Sequence, residues 1–171
     1  MNVLDLLRKY KNIRDAEIPK LGPHRIEKSI PYSGGIMTFE PGFSRPISPM
    51  LKKRFEFCST WENAYLSQKW LSIDEINNWE NDEKINEWVN LRKENSYDGD
   101  PLEDYPMRNL AIFAINPYEP EEIYLVWDEG RLEPRVWHYV GAEFYRFNSF
   151  RRFLLYINGM MEDTDTVREV I

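Results

Sequence analysis

The chain has 171 residues, 42% hydrophobic and 30% charged, a composition that excludes a disordered polymer and fits one domain spanning 1–171. One cysteine and two histidines exclude an internal disulfide and leave no Cys/His set for a zinc site or a His-rich metal centre. A net charge of −7 disfavours direct binding of nucleic acid, and with no long apolar run and no hydrophobic leader the expectation is no membrane span and a cytoplasmic location.

In chain order, Asn2 to Tyr10 reads as a short amphipathic helix, with Val3, Leu4, Leu7 and Tyr10 at helical spacing. Residues 18–50 hold six prolines and four glycines, so regular structure there is short, with Ile36 to Phe39 as one candidate strand. Arg54-Phe55-Glu56-Phe57 alternates polar and apolar residues, which predicts a half-solvated strand. Residues 72–94 form a helical block opened by a Ser72/Glu75 capping box. Its apolar stripe Ile73, Ile76, Trp79 is out of phase with Ile85, Trp88, Val89, which predicts two helices or a break near Asn81. Trp70, Trp79 and Trp88 read as packing residues, and Asn95 to Pro106 as an acidic loop.

The last third is the most regular. Leu110 to Ile115 is continuously apolar and predicts a strand buried on both faces. Glu122 to Trp127 and Arg135 to Val140 follow after short turns, so the three strands form an antiparallel meander, with Phe144 to Phe147 as a short fourth strand. Asn148 or Ser149 then caps a helix carrying Phe150, Phe153, Leu154 and Ile157, and Gly159 stops it. The tail after Met161 is expected to fray, with Val167 to Ile171 able to dock. The fold class is α+β, an antiparallel sheet flanked by helices.

The order of Leu110-Ala111-Ile112-Phe113, Ile123-Tyr124-Leu125-Val126-Trp127-Asp128, Arg135-Val136-Trp137-His138-Tyr139 and Asn148-Ser149-Phe150-Arg151-Arg152-Phe153-Leu154 resembles the C-terminal half of the SUKH superfamily, which includes the fungal cell-wall assembly regulators. The resemblance covers residues 110–154. Upstream, the family's Leu-Pro dipeptide, aromatic-rich helix and Asn-Gly-Gly turn are missing, Tyr32-Ser33-Gly34-Gly35 being a loose substitute, so the strand order of the N-terminal half stays open. The resemblance implies a non-enzymatic binding protein without a cofactor: an immunity protein that neutralises a cognate toxin, as bacterial members do, or an intracellular scaffold or adaptor like the fungal ones.

The residues themselves offer little catalytic chemistry. Cys58 and His138 have no spacing that makes a nucleophile and its base, and read as packed residues. Asp98-Gly99-Asp100 fails as a calcium loop, because an EF-hand starting there needs a ligand, a glycine and a glutamate where the chain has Leu102, Glu103 and Asn109. The carboxylate pairs Glu121-Glu122 and Asp128-Glu129 are separated by a strand of roughly 17 Å. Gly34-Gly35 lacks the Lys-Ser/Thr of a phosphate loop.

Charge is the stronger signal. Residues 1–58 sum to +5 and residues 59–171 to −12, while 74–104 alone hold eleven acidic side chains against Lys84, Arg92 and Lys93. An acidic surface either simply solvates the protein or meets a basic partner. The second reading places a basic toxin domain on Asp98, Asp100, Glu103 and Asp104 together with Glu121, Glu122, Asp128 and Glu129, anchored by Tyr97, Tyr105 and Tyr118.

Overall fold

The structure, a computed structural model, describes residues 1–96, 99–141 and 143–161 and the backbone of a last strand at Val167–Val170. Helix α1 spans Val3–Leu21. The Asn2 side chain caps it, accepting the Asp5 N–H at 3.0 Å. It is longer than its apolar stripe predicts: a solvated turn joined by the Lys11–Asp15 pair at 2.6 Å carries it on to Gly22, whose φ of +75° ends it. Pro19 is tolerated in the last turn.

Residues 54–57, expected as a strand, belong instead to helix α2, Pro49–Phe57. Ser48 caps it and Pro49 opens it. Its buried stripe is Leu51, Arg54 and Phe55, and because the middle member is an arginine the helical period is invisible to a hydrophobicity count. The predicted strand at 36–39 shortens to β2, Ile36–Met37, paired with β3, Ser44–Arg45, in a separate hairpin. Strand β1 is Arg25–Ile26.

The block at 72–94 breaks as its two stripes require. Helix α3, Ile73–Asn77, carries both halves of the Ser72/Glu75 capping box, a 3₁₀ turn follows at Trp79–Asn81, and α4 runs Glu83–Glu94. Within the acidic loop a single helical turn forms at Pro101–Asp104, α5.

One sheet organises the molecule. It contains β1, β4 (Trp61–Tyr65), β5 (Gln68–Trp70), β6 (Leu110–Ile115), β7 (Glu122–Val126), β8 (Arg135–Val140), β9 (Glu143–Phe147) and β10 (Val167–Val170), in that spatial order. Every neighbouring pair is antiparallel. The meander β6–β9 is as expected, and helix α6, Phe150–Ile157, follows it from its Ser149 cap. The 162–166 part of the tail lies outside the described residues.

Both faces of the sheet are covered. On one, α1, α2 and α6 enclose Trp61, Trp70, Phe113, Phe150 and Phe153, with the Tyr10 and Trp70 rings stacked at 6.2 Å. On the other, α3, α4, α5 and the β2–β3 hairpin cover Tyr124, Trp137 and Tyr139. This double covering is why β6 and β7 are buried at every position. All three tryptophans spaced nine apart are buried: Trp70 in the first layer, and Trp79 and Trp88 in the second, donating to the carbonyls of Thr38 and Asn116. Among the described residues no helix is long and apolar enough to cross a membrane.

Candidate partner-binding surface

The charge split of the sequence becomes a split between the two layers. Helices α1, α2 and α6 hold ten basic and four acidic side chains, net +6. Residues 73–94 with α5 hold nine acidic and three basic, net −6. The three cations of this acidic layer are each engaged, and only Arg92 is drawn inward. Lys84 pairs with Glu87 at 2.7 Å and lies over the Trp88 ring, Lys93 lies over Phe39, and Arg92 turns into the core. Exposed carboxylates remain at Asp74, Glu80, Asp82, Glu83, Glu94, Glu103 and Asp104.

The residues expected to form the contact fall into separate groups. Glu103 and Asp104 are exposed on α5 and belong to the acidic layer. Tyr97 and Asp98 lie outside the described residues. At one end of the sheet, Tyr118 is 81% exposed on the β6–β7 turn, and Glu121 beside it accepts from Asn116 at 3.2 Å. At the opposite end, Asp128 is half-buried in a knot with Arg135 (2.7 Å), Arg131 (3.2 Å) and the Tyr105 hydroxyl (3.0 Å), while Glu129 is exposed. The two turns therefore do not share one contact patch.

Asp100 and Glu122 are a correction. Both side chains are fully buried, so neither is available to a partner. Asp100 is the N-cap of α5, its Oδ1 accepting from the Leu102 N–H at 2.9 Å. The Asp-Pro dipeptide at 100–101 is the sequence signal for that role. Glu122 shares a strand face with Tyr124 and Val126, the face that α4 covers, and meets Arg92 at 2.7 Å.

These residues form a buried polar cluster. The Arg92 guanidinium donates to Glu122 Oε2 and to the Pro120 carbonyl at 2.8 Å, and lies 4.0 Å over the Tyr139 ring. Burial pushes the Glu122 carboxyl above its ordinary range, with Arg92 opposing. Burial likewise raises Asp100, opposed by Tyr139, Leu102 and Arg92. A cavity of about 370 Å³, lined by Leu91, Arg92, Asn95, Glu119, Glu121 and Gly141, opens beside Arg92. Nothing in the local sequence marks Arg92, which lies 30 residues from its partner on another element.

The nucleophile and base candidates lie apart. Cys58 is the first residue beyond α2 and not the end of a strand; its buried Sγ accepts from Arg54 at 3.3 Å. His138, inside β8, bonds Gln68 at 3.0 Å, and burial lowers it to about 3, so it stays neutral. His24 borders a cleft of about 810 Å³ with Arg25, Glu62, Lys69 and Tyr118. Both of its ring nitrogens are engaged: Nδ1 accepts the Trp61 indole N–H at 3.0 Å, which leaves Nε2 to donate to Asp15 at 2.8 Å. It has no free nitrogen to take a substrate proton. Among the described residues no three His, Cys, Asp or Glu side chains are grouped to hold a metal ion.

Compared with protein-family models, with curated proteins and with solved structures, the chain matches none. The functional reading therefore rests on the surface itself.

Proposed function

We propose that this protein is a non-enzymatic binding protein that docks a basic protein partner on the acidic layer formed by α3, α4 and α5, and that it is a cytoplasmic immunity protein that occludes a cognate toxin. The observation that carries this reading is the charge of that layer: nine carboxylates stand against three cations, of which Arg92 turns into the core to meet Glu122 while Lys84 and Lys93 lie over the Trp88 and Phe39 rings. Such a surface presents a net negative field, which speeds encounter with a positive partner and orients it. The resemblance of residues 110–154 to SUKH proteins supports the same class of function.

The test is co-expression of this chain with the product of the adjacent gene, read as protection of the cells from its toxicity. The native chain should protect, and a variant carrying Glu83→Lys, Glu94→Lys, Glu103→Lys and Asp104→Lys should not, with the two melting alike. Equal protection by both removes the acidic layer from the interface. A second reading, an intracellular scaffold or adaptor, is favoured by one observation: the opposite layer carries net +6, so the molecule has two oppositely charged faces with which to bridge two partners. A chain that protects against no neighbouring toxin but holds two proteins in one complex fits that reading.

A further inference from the structure

Between the last turn of α4 and the turn that joins β6 to β7, a cavity of about 370 Å³ opens at the surface. Leu91, which is 39% exposed, and Pro120 give it apolar sides, and Glu119 and Glu121 give it carboxylates. Among the described residues neither glutamate has an ion-pair partner, and the Glu121 side chain accepts only from Asn116, at 3.2 Å. Arg92 also lines the cavity, but its charge is already answered: Nη2 donates to Glu122 at 2.7 Å and to the Pro120 carbonyl at 2.8 Å. With Arg92 and Glu122 cancelling, the two glutamates leave the surroundings net negative. The C-terminal end of α4 adds the negative end of its helix dipole. The turn that forms the second wall is rigid. The buried Asn116 ties it together, its N–H donating to the Glu121 carbonyl and its Oδ1 accepting the Tyr118 N–H, each at 2.9 Å. Trp88 of α4 donates to the Asn116 carbonyl at 2.8 Å, which fixes the turn to the helix opposite. Pro117 and Pro120 restrict the backbone between.

We propose that this cavity is a socket for one arginine side chain of the basic protein partner, the contact that seats the partner once the acidic layer has attracted it. The inference rests on the reading that a basic protein docks on that layer. An arginine matches both parts of the lining. Its methylene stem covers Leu91 and Pro120, and its guanidinium reaches the Glu119 and Glu121 carboxylates. A guanidinium is also more weakly hydrated than an ammonium, so it enters a half-apolar site at a smaller desolvation cost than lysine does. Because the turn wall is already ordered, little conformational freedom is lost when the side chain enters. The socket and the acidic field therefore act on different steps. The exposed carboxylates of α3 to α5 set how fast the partner arrives, and the desolvated contact with Glu119 and Glu121 sets how slowly it leaves.

The test titrates the full chain with N-acetyl-arginine methylamide and follows backbone amide chemical shifts. The amides of Leu91, Asn95, Glu121 and Gly141, which line the cavity, should move together and saturate. The citrulline derivative has nearly the same shape without the charge, and should bind the native protein at least about tenfold more weakly. The double variant Glu119→Gln, Glu121→Gln keeps the acceptor for Asn116, so it should melt like the native chain and lose the arginine probe by a similar factor. Shifts that do not saturate, that spread over the whole acidic layer, or that citrulline reproduces overturn the socket. With the protein partner, the double variant should dissociate at least about tenfold faster while associating at nearly the native rate. An unchanged dissociation rate contradicts the proposal. Failure of the socket and failure of the docking reading are distinguishable, because the probe titration needs no partner and the salt dependence of association needs no socket.

Discussion

Arg54 and Arg92 lie on opposite sides of one sheet, and each carries a guanidinium out of water, but their surroundings differ in kind. Arg54 forms no ion pair among the described residues. It donates to the carbonyls of Cys58 (2.6 Å), Ser59 (3.3 Å) and Leu71 (3.5 Å) and lies within 5.6 Å of the ring centroids of Phe55, Trp70 and Phe113. Arg92 is held by a carboxylate and a tyrosine ring, with a second buried carboxyl nearby. Carbonyls and rings do not titrate, and burial pushes the neighbouring Cys58 thiol up, so the first layer has a fixed clasp near neutral pH; carboxyls titrate, so the second layer has a clasp that responds to protons. The inert side carries net +6 and the responsive side is the acidic layer proposed to meet a partner.

The largest effect should come from the fixed clasp. Arg54→Met keeps most of the volume but leaves three buried carbonyls without donors, and should cost about 4 kcal/mol in urea unfolding, equally at pH 5 and pH 9. Arg92→Met should cost about 3 kcal/mol at pH 8, because it strands Glu122, and less at pH 5, because burial raises that carboxyl and favours its neutral form as pH falls. Equal costs at the two pH values for Arg92→Met would erase the distinction between the clasps.

His138 gives the Arg54 side its own titration, with opposite sign. Its folded value of about 3 lies below the ordinary histidine value of 6.5, so the stability it confers is complete above that value and is lost as pH falls toward 3. Between pH 6 and pH 4 this amounts to about 1.4 kcal/mol per pH unit. His138→Gln should unfold with a correspondingly flatter acid limb, and an unchanged limb would show that the ring is already solvated. The smallest effect is at the capping box, where Ser72→Ala should cost about 1 kcal/mol without altering the pH profile.

How far the sequence could be read follows the same physics. The meander and α6 were legible because their patterns are apolar and local: β6 is buried at every position, and the Ser149 cap and the 150/153/154/157 spacing mark the helix unaided. Helix α2 was not, because its inward face centres on Arg54. The β4–β5 hairpin gave no signal, since its turn residues Leu66 and Ser67 take φ of +48° and +60° where glycine or asparagine is usual. In the candidate site, the exposed Glu103, Asp104 and Tyr118 followed from composition. The burial of Glu122 did not, because it depends on an arginine delivered by a helix that only the fold places there, and that of Asp100 did not, because it follows from the packing of α5.

The central claim, that the acidic layer meets a basic partner, is tested most directly by association kinetics. The stopped-flow rate constant for association of the native chain with its basic protein partner should fall steadily as ionic strength rises past about 0.1 M, where the Debye length is ~10 Å. The variant with lysine at positions 83, 94, 103 and 104 should associate at least about tenfold more slowly at low salt and show little salt dependence. A rate constant that is insensitive to salt and identical in the two proteins would contradict the account.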